Sequence, residues 1–172
     1  AFKNEIALIH QGDQLLATST MGPVSSVVAA DELTTQQQQS VDLGAQIIAG
    51  GFKNGANYAP TLLSNVKEGM PAFHEELFGP VASVITVKDA DEAIVMANSH
   101  RYGLGATLFS RDTDRAYHYA RQISSGAVFI NAMVKSDPRL PFGGVKKSGY
   151  GRELADYGLK EFTNVKTIYI ND

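Results

Sequence analysis

The sequence predicts an α/β fold built on a parallel sheet, and three observations carry that prediction. Segments of strand character and helix character alternate from residue 81 to residue 131. The strand segments are rich in β-branched residues and read as buried, and the connections between segments are only a few residues long. Such an alternation joins parallel strands by right-handed crossovers, and ligands then collect at the carboxyl ends of the strands. That end of the pattern is where residues 131–151 begin.

Taken in order, residues 1–11 place Phe2, Ile6 and Ile9 at helical spacing, and Gly12-Asp13 is the expected stop. Residues 18–23 read as loop, with Pro23 suited to the first turn of a helix running to about Leu43. The Gln36 to Gln39 run, flanked by Leu33, Val41 and Leu43, fits an exposed helical face. Residues 46–49 form a short apolar strand closed by Gly50-Gly51, and a polar loop leads to a second strand at 61–66. Residues 81–87 form a buried strand. Asp89 with Glu92 then gives a start like a capping box to a helix whose Ala90, Ala93, Ile94 and Ala97 recur at i, i+3, i+4 and i+7. A strand at 104–110 follows, and Asp112 caps a helix with Ala116, Tyr119, Ala120 and Ile123 on one face. Gly126 ends it, and 127–131 is a strand again. After a glycine-rich loop come a short helix at 153–162 and a terminal strand at 164–170, apolar on both faces and so expected to be covered on both sides.

The loop, Leu140 to Glu153, packs four glycines among a proline, two lysines and aromatic residues. That many permissive positions allow close approach to a ligand or another segment, although a plain surface connection has the same composition. It is not a phosphate loop, because Lys146 stands where glycine must precede Lys147-Ser148; nor is it a dinucleotide fingerprint, because Leu154 occupies the third glycine position.

Composition narrows the function by exclusion. A length of 172 residues fits one domain, and no apolar run approaches the length of a membrane span. The start lacks the features of a secretory signal, so a cytoplasmic chain is the expectation. Fifteen basic against eighteen acidic residues leave a net charge of −3 with no basic patch, which gives nucleic acid or an anionic membrane no electrostatic footing. There is no cysteine, which excludes disulfides, thiolate metal sites and a thiol nucleophile within the chain. His10, His74, His100 and His118 show no metal-ligand spacing, so no metal site is expected.

Two stretches in fixed order, Glu75-Glu76-Leu77-Phe78-Gly79-Pro80 and the Pro-Phe-Gly-Gly loop from Pro141, resemble the aldehyde dehydrogenase superfamily. Further matches are Met21-Gly22-Pro23, Pro60-Thr61-Leu62-Leu63, Ala97-Asn98, Tyr102-Gly103-Leu104, Val128-Phe129-Ile130-Asn131 and Lys160-Glu161-Phe162. The resemblance covers essentially the whole chain but only about the last third of the family's length. It implies residues 1–160 as the C-terminal part of a catalytic domain and 161–172 as a tail whose strand joins a partner subunit's sheet, giving a dimer or tetramer. The family's cysteine nucleophile has no counterpart here, so no catalytic residue is assigned and the isolated chain is expected to be inert.

Particular residues can then be given roles. A carboxylate at Glu76 can accept two hydrogen bonds from vicinal sugar hydroxyls, the alternative being a solvated surface acid. The resemblance implies that Glu76 binds the nicotinamide ribose of NAD or NADP and that Phe78 contacts the nicotinamide. Phe142, otherwise a core residue at a strand-to-loop junction, is implied to line the substrate tunnel. A hydroxyl at Ser136 and a guanidinium at Arg139 can hold a carboxylate, and the combination is similar to succinate-semialdehyde dehydrogenases, with Ser136 at the substrate's distal carboxylate. For Arg139, a surface pair with Asp137 is the favoured alternative. A non-catalytic binding or assembly module on the same fold is the competing reading of the whole chain; a start in mid-helix without a cap favours truncation instead.

Overall fold

The structure is a computed structural model describing residues 1–171, and it divides into one unit spanning Ala1–Thr86 and a second from Val87 onward. In the first unit, helix α1 is only Phe2–Ile6, and Phe2 and Leu8 are exposed. A helix this short with no covered face has little to sustain it, so the turn tightens into i−3 bonds at Leu8 and Ile9 well before Gly12. Helix α2, Val27–Asp42, starts later than Pro23 suggested. Ser26 is its cap, its hydroxyl accepting the Ala29 N–H at 3.0 Å, while the Val24 N–H bonds Ala56 and holds residues 23–25 outside the helix.

Strand β1 (Gln46–Ala49) is followed by a hairpin, β2 (Lys53–Asn54) and β3 (Asn57–Tyr58), in what sequence reading took for a loop. Strand β4 (Thr61–Ser64) pairs antiparallel with β1 and parallel with β5 (Val81–Ser83), the crossover carrying a short helix α3 (Pro71–His74). The strand expected over 81–87 ends at 83, and Val84 and Ile85 are exposed. The core centres on Ala30, Leu33 and Tyr58, with Val24, Leu77 and Val81 packed against it. Gln37 corrects the picture of an exposed glutamine face: it is buried, its Oε1 accepting the Tyr58 hydroxyl at 2.9 Å and its Nε2 donating to the Gly51 carbonyl. Burial raises the Tyr58 pKa, which keeps that hydroxyl a donor.

In the second unit, helix α4 (Ala90–Ser99) starts as expected: Asp89 accepts the Glu92 N–H at 2.8 Å, and the Glu92 carboxylate turns back to the Lys88 N–H. Then come β6 (Tyr102–Gly103), β7 (Gly105–Leu108), helix α5 (Thr113–Ala120, capped by Asp112), β8 (Ala127–Ile130), β9 (Val145–Lys146) and helix α6 (Ala155–Glu161). β7 and β8 are parallel across α5, the predicted strand–helix–strand unit, and β6 pairs antiparallel with β9. In the first unit β5 takes the edge of β4, and in the second β7 pairs with β8. Among the described residues, 164–170 pair with no strand, and Val165, Ile168, Tyr169 and Ile170 are exposed. Among the described residues no helix is long and apolar enough to cross a membrane.

Candidate functional site

In the first unit the site is built on the segment that leaves α3. Glu75 caps that helix and accepts a hydrogen bond from Gln36 Nε2 at 2.8 Å, which ties the segment to α2. Leu77 turns in against the Ala30–Leu33–Tyr58 cluster. Gly79 completes the anchorage. A Cβ there would lie 2.3 Å from Leu33 Cδ1, so glycine lets the chain pass this close to the core without moving the buried Leu33 side chain. With Leu77 facing in, its neighbours face out: Phe78 is 76% exposed, and Glu76 is exposed and forms no hydrogen bond among the described residues. Phe78 borders a shallow cavity of about 320 Å³ with Val24, Ser25, Leu77 and Gly79. An unengaged carboxylate two residues from an uncovered aromatic face fits a ligand that has a diol and a flat ring, as a ribosyl nicotinamide does.

In the second unit the glycine loop borders an open cavity of about 1010 Å³, lined also by Pro138, Arg139, Phe142 and α6. The close packing begins outside the loop. A Cβ on Gly126 would fall 1.6 Å from the Gly143 carbonyl oxygen, so Gly126 is there to let Gly143 cross the start of β8, not to end α5, which stops at Ala120. The loop is then closed on itself: Phe142 and Glu153 exchange both backbone hydrogen bonds, at 2.9 and 2.8 Å. Ser148 Oγ accepts the Gly103 N–H, and Lys146 Nζ donates to the Asn98 and His100 carbonyls at the end of α4, a favourable place for a cation. At the exit Leu154 and Ala155 have φ of 65° and 48°, an uncommon conformation for both, and the Ala155 N–H bonds the Pro138 carbonyl.

The structure therefore brings Arg139 and Phe142 to one cavity, whereas Ser136 is exposed in the irregular segment after β8 and does not border it. Arg139 makes a bidentate pair with Asp137, Nε to Oδ1 at 2.9 Å and Nη2 to Oδ2 at 2.7 Å, with the arginine side chain 86% exposed. Hydrogen bonding to that guanidinium holds the Asp137 carboxyl well below the usual carboxylate range. A depressed folded-state pKa means that the pair persists above that range and is lost only as pH falls through the lowered value.

Sequence reasoning missed Asn131 and Arg152. Asn131, at φ 54°, clamps both backbone groups of Ser110, its Oδ1 accepting the N–H at 2.9 Å and its Nδ2 donating to the carbonyl at 2.8 Å. An asparagine directly after a strand is a signal for that conformation. Arg152 donates into the glycine loop, which no periodicity reveals. Among the described residues no group of three or more His, Cys, Asp or Glu side chains gathers to hold a metal.

The chain is 48% identical over 160 residues to the NADP(+) succinate-semialdehyde dehydrogenase of Deinococcus radiodurans, covering 91% of this chain and 34% of that protein. It is 43% identical over 166 residues to the succinate semialdehyde dehydrogenase Sad of Escherichia coli, covering 95% and 36%. The crystal structure of succinic semialdehyde dehydrogenase from Streptococcus pyogenes in complex with NADP+ superposes with a TM-score of 0.93 at 36% identity, over 99% of this chain and 38% of that one. Betaine aldehyde dehydrogenase from Staphylococcus aureus with NAD+ gives 0.88 at 33% identity, over 93% and 33%. The chain thus spans little more than a third of the length of these relatives. The model of the aldehyde dehydrogenase family matches residues 1–168, and with nearly the whole chain accounted for in this way, the protein belongs to the aldehyde dehydrogenase family.

Proposed function

We propose that this chain forms the nicotinamide wall and the substrate loop of a cytoplasmic, homo-oligomeric NAD(P)-dependent aldehyde dehydrogenase that oxidises succinate semialdehyde to the acid. The observation that carries this reading is the uncovered pair Glu76 and Phe78, held outward by Leu77 and Gly79 in a chain whose relatives include succinate-semialdehyde dehydrogenases. The cofactor, when bound, supplies the hydride acceptor. Glu76 accepts hydrogen bonds from the ribose hydroxyls and Phe78 lies against the nicotinamide, so together they fix the ring's position relative to the substrate. Phe142 lines the substrate path. Ser136 holds the distal carboxylate of the aldehyde, with Arg139 nearby but engaged by Asp137. The family's thiol nucleophile has no counterpart in a chain without cysteine, so this chain alone is inert. The exposed apolar tail at 165–170 fits an added strand in an oligomer.

Ser136→Ala in the full-length enzyme tests the substrate. KM for succinate semialdehyde is expected to rise by about tenfold, the loss of one hydrogen bond to a charged group, with an uncharged aldehyde of similar length nearly unaffected. Equal effects on both substrates would assign Ser136 to packing.

A further inference from the structure

We propose that Arg152 is a positioning residue that sets the place of Phe142 in the substrate wall, and this rests on the reading of Phe142 as a substrate contact. A single guanidinium nitrogen, Nη1, donates to the Gly144 carbonyl at 2.9 Å and to the Gly151 carbonyl at 2.6 Å, joining the two ends of the glycine loop. Gly144 is buried, so losing this donor leaves its carbonyl with little to replace it. The arginine stem also packs on the neighbour of Phe142: a Cβ on Gly143 would lie 3.2 Å from Arg152 Cδ. Phe142 is then gripped from both sides, by its paired hydrogen bonds to Glu153 and by the clasped Gly143-Gly144 that follows it. Phe142 borders the large cavity, and Gly143, Gly144, Gly151, Arg152 and Glu153 line the same cavity beside it. One donor atom serves both carbonyls, so a point cation of similar reach can replace it, and an apolar side chain cannot.

The test has two arms. The chain has no tryptophan, so Phe142→Trp gives a single reporter at the position in question. Adding Arg152→Met is expected to shift the indole emission and lower its anisotropy, and Arg152→Lys in its place is expected to leave both near the parent values. Unchanged emission with methionine, or a lysine variant as disturbed as the methionine one, would overturn the proposal. The lysine comparison decides even if the methionine variant fails to fold. In the full-length enzyme Arg152→Met is expected to impair aldehyde oxidation up to about a hundredfold through kcat/KM for the aldehyde, with the KM for the nicotinamide cofactor unmoved. On a Phe142→Ala background the same substitution is expected to add nothing, because the group it places is gone. Additive losses would show that Arg152 only stabilises the fold. Absence of aldehyde oxidation by the unsubstituted enzyme would instead refute the proposed function, while the fluorescence arm would still report on the clasp.

Discussion

Gly126→Ala is expected to unseat the glycine loop. The added carbon would stand 1.6 Å from a backbone oxygen of Gly143, and neither partner is a flexible side-chain end that can swing aside. One of two backbones must move, either the start of β8 or the loop that carries Phe142. Overpacking of this kind costs about 1–3 kcal/mol, and a clash between two main chains belongs at the upper end. Gly55→Ala is the control: Gly55 has a φ of 58° but open space around it, so its cost is the conformational one alone, about 1–2 kcal/mol. Urea denaturation of the two variants is expected to rank Gly126→Ala as the more destabilised, with loss of aldehyde oxidation in the full-length enzyme. A Gly126→Ala protein as stable as its parent would mean that the crossing of Gly126 and Gly143 is looser than described.

Glu76→Gln is expected to have the largest effect on function with the least on folding. The side chain is exposed and forms no hydrogen bond or ion pair among the described residues, so its replacement removes none there. What it removes is the charge that strengthens hydrogen bonds from ribose hydroxyls, worth on the order of 1.5–3 kcal/mol, or roughly ten- to a hundredfold in cofactor affinity or turnover. Cofactor titration and steady-state kinetics on the full-length enzyme, beside a thermal melt, separate the two. An unchanged melt with weakened cofactor use is the expected pattern; wild-type values for both would return Glu76 to the status of a solvated surface acid.

Much of the second unit was legible because local chemistry decided it. Asp89 and Asp112 cap their helices where a short acidic side chain precedes an apolar repeat, and β7 and β8 pair in parallel as the alternation requires. The misreadings arise where a distant partner decides. Pro23 satisfies the local rule for a helix start, but the bond from Val24 to Ala56 draws that segment away and leaves Ser26 to cap. Gln37 lies in a polar run, yet Tyr58, 21 residues on, brings it a buried hydroxyl. The segment at 53–58 contains too few residues for a period, and its hairpin was signalled only by the turn residues Asn54-Gly55. The tail is different: its apolar pattern calls for cover on both faces, and among the described residues Val165, Ile168, Tyr169 and Ile170 are exposed. At the site, motif resemblance pointed to Glu76, Phe78 and Phe142. The reasons for Gly79, Gly126 and Arg152 lie in approaches to Leu33, Gly143 and Gly144 that become apparent only in three dimensions.

The central claim is that this chain holds the cofactor and the substrate for a reaction whose nucleophile it does not contain. The most direct test is succinate semialdehyde-dependent reduction of NAD or NADP, measured side by side on the full-length enzyme and on the pure 172-residue chain. Sustained turnover by the first and none above background by the second are expected. Turnover by the pure chain, or none by the full-length enzyme, would contradict it.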